Sequence, residues 1–314
     1  MRKVIGWCVG LIVVVLLLVV GGGYYLTEVA LRPHFERGDE ACLHAWGENY
    51  PTHKPWADSL RRAHLLQEIT IAAEDQTPLH AYYLPTEQPS LRTAIVVHGY
   101  TDHPFGMLHI ARLYREELGC NILLPTLRFH GKSGGDSMGM GWQDRLDVKQ
   151  WIETIPSLFG ADQQVIAHGL SMGAATVMML SGEEDLPASV RCIVEDCGYT
   201  SVWEQFKKEL QEDYHLPAFP VLHVARRLAR WRFGWDFKEA SALEAVRKAK
   251  LPMLFIHGGD DHYVPTRMVY PLYETKQQGD RAIWIAPEAG HADAYMDHPE
   301  EYTQQVVSFC ERHL

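Results

Sequence analysis

Apolar positions along the chain fall into three regimes. From Val4 to Leu26 they continue without a charged residue, a stretch that spans about 35 Å as a helix and is long enough for a bilayer core. From Leu31 to Arg62 they are mixed with polar positions and with Pro33, Pro51 and Pro55, which reads as a connector containing one short helix and no chemistry. Beyond residue 64 the pattern is regular. Glu68 to Ala73 and Leu79 to Leu84 flank Glu74-Asp75-Gln76-Thr77 and read as an antiparallel hairpin at a sheet edge. Short apolar runs of the kind buried on both faces then alternate with helical periodicity. The expected strands are Thr93 to Val97, Asn121 to Leu124, Val165 to Ala167, Arg191 to Val194, Pro252 to His257 and Ala282 to Ala286. Helices are expected at Pro104 to Leu118, Trp142 to Leu158, Met172 to about Ser181 and Pro299 to Arg312. This alternation predicts an α/β domain with a doubly wound, mostly parallel sheet, whose ligands sit at the carboxyl ends of the strands.

More than fifty residues separate the Arg191 and Pro252 strands, too many for a plain connection, so an inserted helical cap is expected over about residues 199–249. Within it Val221, Val224, Leu228, Trp231 and Trp235 recur at helical spacing, with Arg226, Arg227, Arg230 and Arg232 largely off that stripe. The stripe reads as a lid helix packed on the body; its sharper reading is an amphipathic lid that touches lipid or holds an acyl chain. Trp203, Phe206, Trp231, Phe233 and Trp235 make an aromatic pocket the expectation there. The domain plan is an anchor at 1–30, a connector at 31–63 and a catalytic domain at 64–314.

The candidate chemistry begins at His168-Gly169-Leu170-Ser171-Met172-Gly173. A serine in a GxSxG frame, at a corner between a buried strand and a helix, sits on a turn that lifts its hydroxyl above the sheet. A serine hydroxyl is a weak nucleophile and needs a base and a group that orients the base. Downstream, the Pro252 strand ends in His257-Gly258-Gly259-Asp260-Asp261-His262, and the Ala282 strand in Glu288-Ala289-Gly290-His291. A carboxylate and an imidazole therefore reach the same rim as Ser171, in the order serine, acid, histidine. His257, His262 and His298 compete for the base, but His291 alone follows the last strand in this turn. Asp260 and Asp196 compete for the acid.

Together these motifs, with His98-Gly99-Tyr100 and the Arg128-Phe129-His130-Gly131-Lys132-Ser133 loop, resemble the α/β-hydrolase superfamily in its lipase, esterase and serine-peptidase branch. Over residues 64–314, with the apolar span directly before it, the chain is also similar to membrane-anchored hydrolases of bacterial cell surfaces. The resemblance implies Ser171 as nucleophile, His291 as general base and then acid, and Asp261 as the orienting acid, since the family places an aspartate four residues after the HG histidine. It also implies an oxyanion hole made by the backbone N–H groups of Tyr100 and Met172. The expected activity is hydrolysis of a carboxylic ester or related acyl bond, without a cofactor. A peptidase of the aminopeptidase kind, a thioesterase or an acyltransferase would use the same residues; a catalytically silent surface-binding module is the non-enzymatic alternative.

Composition narrows the partners. A net charge of -11 argues against nucleic acid, which needs a surplus of Lys and Arg on some face. His257, Asp260, Asp261 and His262 are dense in ligand types, yet no HExxH or paired histidine spacing accompanies them, so no metal is expected. The glycines after His130 lack P-loop spacing. Cysteines 42, 120, 192, 197 and 310 are an odd set outside the anchor and read mostly as buried small hydrophobes. Arg2 and Lys3 precede the apolar span and Glu28 follows it. The positive-inside bias then keeps the N-terminus cytoplasmic and puts the domain across the membrane. A cleaved signal peptide has a similar layout; the length of the run and the Tyr24-Tyr25 pair favour an uncleaved anchor. The expected partners are thus an apolar or aromatic acyl substrate and, through the N-terminal helix, the membrane.

Overall fold

The structure, a computed structural model, describes residues 2–35 and 38–314. Eight strands form one sheet: β1 (Gln67–Ala72), β2 (Pro78–Leu84), β3 (Arg92–Val97), β4 (Asn121–Pro125), β5 (Gln164–Leu170), β6 (Val190–Asp196), β7 (Met253–Gly258) and β8 (Arg281–Ala286), in the order β1-β2-β4-β3-β5-β6-β7-β8. β2 pairs antiparallel with both β1 and β4, and the pairings from β4 to β8 are parallel. The expected edge hairpin and the mostly parallel sheet are both present.

Successive side chains on a strand point to opposite faces, and the two cores follow from that alternation. Ile95 and Val97 of β3, Val165 and Ala167 of β5, and Met253 and Phe255 of β7 belong to one cluster. Ala94, Val96, Ile166, Leu254 and Ile256 belong to the other. Strands covered on both faces are apolar throughout, which is why they read as unbroken runs.

The chain opens with α1 (Arg2–Leu31), α2 (Asp39–Asn49) and α3 (Lys54–Arg62); α4 (Leu108–Leu118), α5 (Asp144–Phe159) and α6 (Met172–Leu180) follow among the strands. Between β6 and β7 come α7 (Val202–Asp213), α8 (Val221–Phe233) and α9 (Ala242–Lys248), and the chain ends with α10 (Val269–Thr275), α11 (Ala294–Asp297) and α12 (Pro299–Glu311). The connector therefore holds two helices where one short helix was expected. Pro55 is the reason: it lies in the first turn of α3, where proline starts a helix rather than breaking it. Leu43, Trp46, Ala57 and Leu60 bury these two helices against the core that contains α4.

The most apolar part of α1 is uncovered, with mean hydropathy 3.0 and none of it buried. Its last three turns dock instead. Gly23 meets α8 so closely that a Cβ there would lie 2.7 Å from Val224 Cγ1 and 3.1 Å from the Ala225 nitrogen. Thr27 Oγ1 donates to the Gly23 carbonyl at 2.8 Å and lies 3.4 Å from that of Ala225, and Arg232 pairs with Glu28. The Leu31 carbonyl accepts from Met138 N–H at 2.9 Å. This contact corrects the expected lid stripe. Leu222, Ala225 and Ala229 are the buried positions of α8, whereas Trp231 is 81% exposed. A helix flanked by the body on one side and by α1 on another is covered where its neighbours are, and Trp231 lies largely outside that cover.

Candidate active site

Chain order explains where the site forms. β3 has β4 on one side and β5 on the other, so the winding reverses there, and the loops leaving β3 and β5 diverge to open a crevice. Ser171 stands between β5 and α6 with φ 55° and ψ −113°, a backbone that costs a non-glycine residue of order 1–3 kcal/mol and is held only where surroundings enforce it. Here they do. The Ser171 N–H donates to the Asp196 carbonyl at 2.7 Å, and the Ser171 carbonyl accepts from Ala175 N–H at 3.0 Å. The flanking glycines are compulsory: a Cβ on Gly169 would lie 2.1 Å from the Gly173 carbonyl oxygen, and one on Gly173 would lie 2.1 Å from that of Val97.

His291 follows β8 and brings Nε2 to 2.8 Å from Ser171 Oγ. Its Nδ1 is 2.7 Å from Asp261 Oδ2. A carboxylate only accepts, so the Asp261 side puts the imidazole proton on Nδ1 and leaves the Nε2 lone pair to accept from the serine hydroxyl. Asp261 Oδ1 accepts from Val264 N–H at 2.9 Å. His257 contributes a further support: Nε2 is 2.8 Å from the Val264 carbonyl and 3.3 Å from Asp261 Oδ2. Burial opposes the Asp261 charge, but the bonds from His257 and His291 outweigh it and hold the carboxyl at about 2. The Tyr263 ring lies 4.9 Å from that of His291, centroid to centroid.

The two other predicted positions border the same point. Met172 is the first residue of α6, whose leading N–H groups have no acceptor within the helix. Tyr100 follows Gly99, where a Cβ would be 3.4 Å from the Leu170 carbonyl oxygen and 3.5 Å from Ser171 Cβ. The Tyr100 hydroxyl donates to the Ala30 carbonyl of α1 at 3.0 Å.

The competitors are placed elsewhere. Asp196 Oδ2 accepts from Tyr302 Oη at 2.8 Å, and burial pushes its carboxyl up to about 6. Asp260 and His262 face each other at an exposed 3.1 Å contact, and His298 Nε2 reaches the Pro287 carbonyl. His98 donates from Nδ1 to the Gly99 carbonyl and accepts Leu127 N–H at Nε2, which ties two loops together. Among the described residues, one group of metal-type ligands converges: Cys197, Asp261 and His291, within 4.8 Å of one another. The carboxylate and imidazole there are engaged with each other, and burial raises the Cys197 thiol well above its usual range, away from the thiolate a metal requires.

A cavity of about 210 Å³ adjoins Ser171. Of the five aromatic residues expected to line it, Phe206 does; the other aromatic walls are Tyr100, Tyr199, Tyr214, Phe237 and Tyr263. Trp235 is buried in the core, Trp231 faces outward, and Trp203 packs beneath Lys238. Two features of the cavity left no signal in the sequence. One wall is Leu26, Val29 and Ala30 of α1, and another is Gln205, Glu209 and Asp213, one stripe of α7. The Glu209 carboxyl is raised by burial and accepts from Gln205 Nε2 at 2.9 Å.

Comparison with known proteins bears on the fold that carries this geometry. The profile of the "Alpha/beta hydrolase family" matches residues 94–305. The chain belongs to the α/β-hydrolase family. A Bacillus subtilis protein, YqkD, is 30% identical over 227 residues, which cover 72% of this chain and 73% of that one. Protein bem46 of Schizosaccharomyces pombe is 23% identical over 266 residues, 83% of this chain and 80% of its own length. Among solved structures, the Pyrococcus furiosus esterase Pf2001 superposes with TM-score 0.64 at 24% identity, covering 79% of this α/β-hydrolase and 92% of the esterase. The Pyrococcus horikoshii acylaminoacyl peptidase superposes with TM-score 0.59 at 16% identity, covering 79% of this chain and 42% of that one. These likenesses carry the fold, and family membership supports a hydrolytic activity.

Proposed function

We propose that this α/β-hydrolase is a membrane-anchored serine hydrolase that cleaves carboxylic esters through an acyl-enzyme. The observation that carries the reading is the unbroken hydrogen-bond chain from Ser171 Oγ through His291 to Asp261, at 2.8 and 2.7 Å. In the proposed mechanism Ser171 Oγ attacks the ester carbonyl while His291 Nε2 takes its proton. Asp261 stabilises the imidazolium that forms and stays ionised at neutral pH because its carboxyl is held at about 2. The oxyanion is received by the Tyr100 and Met172 N–H groups, each such donor being worth roughly 10²–10³ in turnover. Collapse expels the alcohol, which takes the proton from His291. Water then gives a proton to His291 and attacks the acyl-serine, releasing the acid and restoring Ser171. Helices α7 and α8 act as the cap over this site, each lending residues to its cavity, while α9 packs on α6 and α10.

The ester preference is supported by the aliphatic and aromatic lining of the cavity. It is tested with p-nitrophenyl esters of graded chain length against aminoacyl-4-nitroanilides. Ester turnover that is lost in Ser171→Ala supports the reading, and faster anilide turnover replaces it with a peptidase. The anchor reading rests on the uncovered apolar face of α1. Protease shaving of intact cells should degrade the domain, and protection from Glu68 onward would reverse the orientation.

A further inference from the structure

Resting on the serine-hydrolase reading, the position of α1 points further, to where the substrate comes from. Leu26 lines the Ser171 cavity, and Leu18, 70% exposed on the uncovered part of the same helix, is only about 12 Å away along the axis. Tyr24 and Tyr25 lie between them, each about half exposed, as in an interfacial aromatic belt. The loop between α7 and α8 is at the same level, since Val221 Cγ1 lies 3.5 Å from where a Gly22 Cβ would be. That loop exposes Leu216 and Phe219, two large apolar side chains in the plane where headgroups meet acyl chains. The α1 wall of the cavity, the uncovered part of α1 and an apolar loop therefore lie close together.

The cavity also selects. Its volume of about 210 Å³ is below the roughly 300 Å³ at which pockets for drug-sized ligands begin, room for a section of one acyl chain beside the serine. On the α7 wall, Glu209 and Asp213 oppose an anionic head by like charge, and Glu209 and Gln205 offer acceptors to a hydroxyl or ammonium.

We propose that the substrate is a single-chain acyl ester resident in the bilayer, with a head bearing hydroxyl or ammonium donors and no anionic group. Its acyl chain slides from the membrane along α1 into the cavity, bringing the ester carbonyl to Ser171. The helix that holds the enzyme in the membrane is thereby one wall of its acyl site.

The test uses the full chain reconstituted in phosphatidylcholine vesicles. Monopalmitoylglycerol embedded in the vesicles is compared with water-soluble p-nitrophenyl butyrate. In Leu216→Glu/Phe219→Glu the ratio of monoacylglycerol to butyrate turnover should fall about tenfold, the scale of losing partial burial of one large side chain. Narrowing the α1 wall with Ala30→Phe should shift the optimum to shorter chains in a panel of p-nitrophenyl esters. Placing the same acyl chain on a phosphate-bearing head should slow turnover about tenfold, and Glu209→Gln should narrow that gap. Butyrate turnover with the ratio unaltered in the loop variant, or the chain optimum unaltered in Ala30→Phe, overturns membrane delivery. Equal turnover of neutral and phosphate-bearing heads overturns the head-group assignment. Absence of turnover on every ester, with no labelling by a fluorophosphonate, overturns the serine-hydrolase reading and this inference with it.

Discussion

Replacing Asp261 by asparagine keeps the shape of the side chain and removes its charge, and the donors around it make the consequence calculable. His291 Nδ1 lies 2.7 Å from Oδ2, Val264 N–H 2.9 Å from Oδ1, and His257 Nε2 3.3 Å from Oδ2. A carboxylate accepts from all of them, whereas an amide has one accepting oxygen and an NH₂ that only donates. With the NH₂ turned to Val264, two buried donors collide, at a cost of about 1–3 kcal/mol for the stranded backbone group. With the NH₂ turned to His291, the imidazole can escape the collision by moving its proton to Nε2. The second arrangement wins because a ring can change tautomer and a peptide N–H cannot. It places a proton where the base must be free, so Ser171 loses its acceptor. Turnover of p-nitrophenyl butyrate should drop by about 10⁴, equivalent to roughly 5.5 kcal/mol of barrier. The assay is kcat for Asp261→Asn beside Asp196→Asn. Asp196 bonds to Tyr302 and not to His291, so its variant should stay within about tenfold of the parent. An Asp261 variant that keeps more than about a tenth of the turnover, beside an Asp196 variant that collapses, would refute the reasoning.

The elbow glycines and acid stability offer independent checks. Gly173→Ala sets a Cβ 2.1 Å from the Val97 carbonyl oxygen and 2.7 Å from that of His98. Both are main-chain atoms that cannot step aside, so Tm should fall and kcat/KM drop about 100-fold as the elbow shifts; unaltered values of both would contradict the close approach. Asp261, whose ordinary value is 3.8, is held at about 2 on folding, a difference worth about 2 kcal/mol. Its folded-state value is the lower one, so this contribution is complete above about pH 4 and is lost as pH falls towards 2. Unfolding free energies from urea titrations over that window should decline by this amount more in the parent than in Asp261→Asn. At the crossing of α1 and α8, Gly23→Val places side-chain atoms against Val224 and the Ala225 nitrogen. Limited chymotrypsin digestion should then cut faster after Phe35, which packs against the core just beyond α1, and an unaltered rate would contradict the docked arrangement.

What could be read in advance depended on whether the determinant is local. The elbow at Ser171 and the strand ends at Asp261 and His291 were legible because a buried strand is an unbroken apolar run and the turn after it carries its own glycines. Other features depend on what lies across from a residue. The apolar stripe of α8 says that some side is covered, but only the approach of α1 decides that Val221 and Val224 are near that helix while Trp231 is exposed. The role of His257 beneath Asp261 needs the fold-back of the loop between β7 and α10. Pro55 misled for a different reason, because a proline in a first helical turn and one that breaks a helix look alike in sequence. The α1 wall of the cavity, contributed from far along the chain, had no local signature at all.

The central claim, that Ser171 is the nucleophile, is tested most directly by treating the full chain with a fluorophosphonate and mapping the adduct by mass spectrometry. The account predicts one phosphonylated residue, Ser171, with labelling abolished in Ser171→Ala and strongly slowed in His291→Ala. An adduct on another serine, or labelling that persists in Ser171→Ala, would contradict it.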